Sequence, residues 1–90
     1  MNFEVLIDQD IFKKIPIYRI KQIKHSIKEL KENPYPGGNK DEIKGYQEVT
    51  YRLRVGNYRV FYEIDEEQKI VFVTEVLTAE QAHKKYRHLD

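Results

Sequence analysis

Tyr51-Arg52-Leu53-Arg54-Val55-Gly56-Asn57-Tyr58-Arg59-Val60-Phe61-Tyr62-Glu63-Ile64 is the stretch whose reading decides the fold. Gly56-Asn57 separates two alternating runs, and a two-residue loop with glycine first favours the primed turns that join antiparallel strands. With those two residues as the whole loop, Val55 faces Tyr58, Arg54 faces Arg59, Leu53 faces Val60, Arg52 faces Phe61 and Tyr51 faces Tyr62. Side chains of a strand alternate between the two faces of its sheet, so the pairing sorts them by period two.

One face collects Tyr51, Leu53, Val55, Tyr58, Val60, Tyr62 and Ile64, an apolar surface suited to a core. The other collects Thr50, Arg52, Arg54, Arg59, Phe61 and Glu63. Like charges directly opposed, as Arg54 and Arg59 are, weaken a hairpin by a fraction of a kcal/mol to about one. Two arrangements offset that repulsion. In one, Glu63, joined by Glu75 if the next strand pairs in the right register, forms a carboxylate network of the kind common and weak on exposed sheets. In the other the face holds a phosphodiester, whose oxygens fit planar, always charged guanidinium donors, with Phe61 offering a stacking surface for an RNA base.

Downstream of the hairpin, Lys69 to Leu77 reads as a further strand after a turn near Asp65-Glu66-Glu67-Gln68, whose length leaves the direction of Glu75 open. Thr78-Ala79-Glu80-Gln81 has the spacing of a capping box, and a C-terminal helix with Ala82, Tyr86 and Leu89 on one side follows. Upstream, Phe3, Val5 and Ile7 alternate within Asn2 to Asp8 as in a half-buried strand. Asp8 or Asp10 caps a short helix bearing Ile11, Phe12 and Ile15; Pro16 then opens a second helix on which Ile17, Ile20, Ile23, Ile27 and Leu30 recur to about Glu32. The outer side of that helix carries Arg19, Lys21, Lys24, Lys28 and Lys31, a solvated face or a non-specific RNA contact. Asn33 to about Gln47 reads as a loop, rich in Pro and Gly at its start; Gly37-Gly38 lacks the spacing and the Lys-Ser/Thr of a phosphate loop.

The fold class expected is therefore α+β: an N-terminal strand, a two-helix hairpin, and a three-stranded antiparallel meander completing a four-stranded sheet, with a short C-terminal helix. Ninety residues suit one domain, 1–90. The chain is 34% charged and 40% apolar, too rich in Ile, Val, Tyr and Phe for overall disorder. It contains no cysteine, which excludes disulfides and thiolate zinc sites. His25 stands alone without a metal partner at ligand spacing, and no metal or other cofactor is expected. No apolar run approaches the roughly 20 residues that span a bilayer, and the start lacks a signal-peptide pattern, so a cytoplasmic protein without membrane contact is expected. A net charge of +1 does not by itself point to nucleic acid, so that case rests on where the arginines sit.

Gly45-Tyr46, the whole run from Tyr51 to Ile64, and Ile70-Val71-Phe72-Val73 together resemble the RelE/ParE family of type II toxins, within it the archaeal and bacterial RelE-like members. The order of strand, helices, loop and three strands is similar too, so the resemblance covers nearly the whole chain and implies a RelE-like microbial RNase-type fold. It further implies a toxin that inhibits translation by cleaving mRNA in the ribosomal A site without a metal, and a RelB-like antitoxin that neutralises it by wrapping around it. By resemblance Arg52 and Arg54 match basic positions of the active face, and Arg59 matches a basic position contacting the scissile phosphate.

The chemistry so implied is attack of a ribose 2′-OH on the adjacent phosphorus, with cations stabilising charge on the phosphorane oxygens. Arginine stays protonated and is a poor general base. The family usually places a basic residue just after the last strand and a tyrosine further on. Here Thr78 to Gln81 holds no arginine or lysine, His83 falls near the tyrosine position, and Tyr86 lies one helical turn later. Histidine ordinarily titrates near neutrality, which makes His83 a candidate for proton transfer beside Tyr86. The plainer reading of both is a capped helix with Tyr86 packed on the sheet. Two other functions stay open: a non-enzymatic ParE-like inhibitor of DNA gyrase, and a weakened toxin acting only through its antitoxin.

Overall fold

The computed structural model describes residues 2–44 and 48–86. The chain runs through β1 (Glu4–Ile7), a 3-10 turn (Gln9–Phe12), α1 (Ile17–Ile27), a second 3-10 turn (Lys28–Lys31), β2 (Lys40–Ile43), β3 (Thr50–Val55), β4 (Tyr58–Asp65), β5 (Ile70–Thr78) and α2 (Ala79–Tyr86). The strands form one sheet in the order β1-β5-β4-β3-β2, antiparallel throughout except that β1 runs parallel to β5. This is the expected α+β class.

The hairpin has the register read from its sequence, with Arg54 opposite Arg59 and Leu53 opposite Val60. Gly56 carries a φ of 55°, a left-handed conformation that glycine adopts without a Cβ clash. Leu53, Val55, Val60 and Tyr62 are buried beneath Ile23 and Ile27 of α1 and Leu30 of the turn after it, joined by Phe3, Phe12, Val71, Val73 and Val76. Tyr62 stacks on Tyr51 at 5.5 Å and donates from its hydroxyl to the Pro34 carbonyl at 2.6 Å, which satisfies the one polar atom of a fully buried side chain. Burial pushes the Tyr62 phenol well above its ordinary pKa, so it serves as a neutral donor.

Three expectations need correcting. The sheet has five strands, because Lys40–Ile43, expected within a loop, pairs along β3. Its residues are mostly charged and show no apolar alternation; as an edge strand it is held by pairing on one side only, where charge is tolerated and discourages further pairing. The two-helix hairpin is one α-helix between 3-10 turns: Asp8 caps the first of these by accepting from the Asp10 N–H at 2.9 Å, too few residues precede Pro16 for a full helix, and the second helix tightens after Ile27. Ile17, expected on the buried stripe, is 85% exposed, as is most of its neighbour Tyr18, and the buried stripe begins further along the helix, at Ile23. Gly45, Tyr46, Gln47 and Leu89, which entered the sequence reading, lie outside the described residues.

Leu53 has no exposed surface and sits at the centre of the hairpin's buried face. Truncating a buried leucine removes its transfer energy and leaves a cavity, so Leu53→Ala is expected to destabilise by about 3 kcal/mol. Urea unfolding should show a lower midpoint at unchanged slope; an unchanged midpoint would refute this account of the core.

Candidate functional site

The second face of the sheet carries the candidate site. Register places Asp41 opposite Arg52, Arg52 opposite Phe61, and Phe61 opposite Glu75, a row across β2, β3, β4 and β5. Glu75 reaches this row through a bulge. Tyr62 pairs with Val73 while Phe61 pairs with Glu75, leaving Thr74 as the extra residue, its hydroxyl donating to the Phe61 carbonyl at 3.2 Å. A bulge inverts the alternation beyond it, so Val71 and Val73 point to the core, Val76 does too, and Glu75 turns to the arginine side.

The three arginines fan out over that side. Arg52 pairs with Asp41 at 3.2 Å, its side chain 25% exposed; its Nε is buried and has no hydrogen-bond partner among the described residues. Arg54 is exposed and donates to the Gly38 carbonyl at 3.2 Å, while Arg59 donates through one nitrogen to the Gly56 and Tyr58 carbonyls, both at 2.9 Å. Burial, then the positive fields of Arg52 and Arg54, lower the pKa of Arg59. That lowering reports a concentrated positive potential, although a guanidinium remains charged at ordinary pH. Among the described residues, carbonyl oxygens and a single carboxylate hold the three side chains, and the carboxylate belongs to Asp41, on the strand that the sequence did not reveal.

Phe61 is 1% exposed. Its ring stacks on Tyr86 with centroids 4.6 Å apart, and Ile43, Ala82 and Leu77 close around the pair in a second, smaller core under α2. The expectation that Phe61 offers a face to an RNA base is therefore corrected: Tyr86 occupies that face. Tyr86 is packed on the sheet, as the plainer reading had it, and its hydroxyl also donates to Glu75 Oε2 at 2.6 Å. Lys85 Nζ reaches both oxygens of the same carboxylate, at 3.0 and 2.8 Å. His83 lies exposed on the outer side of α2. The helix starts where the capping box predicts, the Gln81 N–H donating to Thr78 Oγ1 at 3.1 Å and the Thr78 N–H to Gln81 Oε1 at 3.0 Å.

The carboxylate network expected around the arginines takes a different form. Glu75 is held by Lys85 and Tyr86, and Glu63 meets another acid. Burial and the neighbouring Glu48 raise the pKa of Glu63. The face is thus divided, basic along Arg52, Arg54 and Arg59 and acidic beyond Glu63. An anion is drawn to the first part and repelled from the second. Among the described residues no group of three or more His, Asp and Glu could hold a metal ion, and no helix is long and apolar enough to cross a membrane.

Comparison with known proteins gives a family and a set of folds. The family described as ParE toxin of type II toxin-antitoxin system, parDE, matches residues 9–83. A Methanocaldococcus jannaschii protein named "Putative toxin RelE1" is 34% identical over 89 residues, covering 93% of this chain and 98% of that one. The archaeal RelE-RelB complex from Pyrococcus horikoshii superposes with a TM-score of 0.70 at 21% identity, over 87% of this chain and 96% of that one. The RelB-RelE antitoxin-toxin complex from Methanococcus jannaschii gives 0.65 at 26% identity, over 90% and 98%.

A raised carboxyl pKa means that the folded chain binds its proton more tightly than the unfolded chain. The stability tied to Glu63 is therefore full in acid and declines as pH climbs out of the ordinary carboxylate range. Glu63→Gln removes the repulsion from Glu48 and is expected to raise the thermal midpoint near about pH 7, with no gain near about pH 3, where the Glu63 carboxyl is already protonated. Equal gains at both values would refute the coupling.

Proposed function

The chain belongs to the RelE/ParE family of type II toxins, and from that premise we propose that it is an endoribonuclease that cuts mRNA on the ribosome, with the phosphodiester held by Arg52, Arg54 and Arg59. The observation that carries this reading is the arginine face itself, three cations within each other's field. A phosphate drawn against their guanidinium groups relieves the mutual repulsion. Guanidinium groups also suit the reaction, since negative charge gathers on the phosphorane oxygens as the 2′-oxygen closes on phosphorus.

The roles divide by position. Arg52, beside Asp41, grips the backbone from the β2 side, Arg54 extends the grip at the exposed margin, and Arg59 at the hairpin end contacts the scissile phosphate. His83 and Tyr86 on α2 are the proton-transfer candidates of this reading. Tyr86 reaches Glu75 at 2.6 Å, and His83 is exposed. The partner that restrains the toxin is a RelB-like antitoxin; the similarity to RelE solved with RelB in two archaeal complexes supports it. The single domain spanning 1–90 and a cytoplasmic location belong to the same reading.

A non-enzymatic gyrase inhibitor is the second reading, favoured by the ParE description of the matching family and by the lack of arginine or lysine in Thr78 to Gln81. Primer extension on mRNA from expressing cells separates the two, because only a nuclease leaves translation-dependent cuts. Removing a donor aimed at transition-state charge typically costs about 100- to 1000-fold in rate. Arg59→Ala is therefore expected to abolish both cuts and growth arrest while the circular dichroism spectrum stays native. A folded Arg59→Ala chain that still cuts at the native rate would sink the proposal, and gyrase inhibition without cuts would establish the second reading.

A further inference from the structure

Arginine cannot serve as the base that the reaction needs, which leaves the destination of the 2′-OH proton to be found among the other groups on the face. We infer that Glu75 is that base, held in place by Tyr86 and Lys85 beside the arginines. The inference rests on the ribonuclease reading and adds to it a residue that neither the sequence pattern nor the family comparison identifies.

Four observations support it. The bulge at Thr74 exists in the one place where it turns Glu75 away from the core and onto the arginine side; in regular register that position would face Val60 and point beneath α1. Bulges recur next to active sites because they re-aim one side chain. The carboxylate is fixed from two directions, by the Tyr86 hydroxyl at 2.6 Å and by Lys85 at 2.8 Å, and its side chain stays 26% exposed and open to a substrate. Arg59 pairs with Leu77, two residues along β5 from Glu75, which makes Arg59 and Glu75 diagonal neighbours about 7–8 Å apart at Cα, within the reach of long side chains to a shared phosphodiester. Asp41, the other carboxylate of the row, is bonded to Arg52 and competes with the phosphate for it, whereas the groups holding Glu75 are not ones the phosphate needs.

The step balances as a transesterification. The 2′-hydroxyl gives its proton to Glu75 as the 2′-oxygen bonds to phosphorus, the bond from phosphorus to the 5′-oxygen breaks, and the 5′-oxygen takes a proton from water. Glu75 returns its proton to the hydroxide so formed. No electron transfer is involved, and the product ends are a 2′,3′-cyclic phosphate and a 5′-hydroxyl.

The test uses the full chain on purified ribosomes carrying a defined mRNA, with kcat and KM read separately. Glu75→Gln keeps an oxygen acceptor for Tyr86 and Lys85, so α2 stays seated, but an amide cannot take the proton. The expected result is a fall of about 100-fold in kcat at unchanged KM, the lower range for losing a general base. Native kcat in folded Glu75→Gln overturns the inference and leaves the ribonuclease reading intact, since the native chain still cuts. Absence of cuts by the native chain overturns both. If Glu75→Gln does not fold, Lys85→Met decides: it leaves Tyr86 stacked on Phe61 and frees one side of the carboxylate. A drop in kcat of about 10-fold at unchanged KM then supports the inference, and an unchanged kcat overturns it.

Discussion

The two-residue turn at Gly56-Asn57 fixes the pairing of β3 with β4, and nearly everything else follows from that register. A strand shows alternate side chains to opposite faces, so a slip by one residue would carry Arg52, Arg54 and Arg59 under α1 and put Leu53 and Val60 into water. Neither face tolerates the exchange, because buried unpaired guanidinium groups and exposed valines and leucines are both unfavourable. The positive φ of Gly56 holds the turn, and the apolar cluster below holds the register. The arginine face is in this sense the reverse side of the core.

That reverse side is not uniform, and its divisions come from features beyond the hairpin. β2 brings Asp41 to Arg52, the bulge brings Glu75 to Phe61, and α2 lays Tyr86 over Phe61. What remains open is a basic strip edged by two carboxylates, one tied to an arginine and the other to a lysine and a phenol. Phe61, an aromatic among arginines in the sequence, belongs to the small core that seats α2.

The hairpin, both of its faces, the buried stripe of Ile23 and Ile27 on α1 continued by Leu30, and the capping box at Thr78 were legible because each rests on a local pattern with a physical cause. β2 was not, since Lys-Asp-Glu-Ile carries no periodic signal and owes its strand form to the partner beside it. Asp41 was missed with it. The bulge did leave a trace: Val71, Val73 and Val76 are spaced by two and then by three, a break in alternation that marks an extra residue. Read that way, the spacing already turns Glu75 toward the arginines. The partners of Glu75 depended on the seating of α2, which a helical pattern of eight residues could suggest but not orient.

The parallel pairing of β1 with β5 joins the first strand of the chain to the last. During synthesis β1 has no edge to join until Ile70 to Val73 have left the ribosome, whereas the β3–β4 hairpin can close as soon as its own residues emerge. Contacts so distant in sequence form late, after the entropy of closing the intervening chain has been met. The sheet is therefore sealed at its last strand, and the helix that follows that strand is the final part to dock. A ribosome making this protein has passed β5 and α2 before the arginine face is complete.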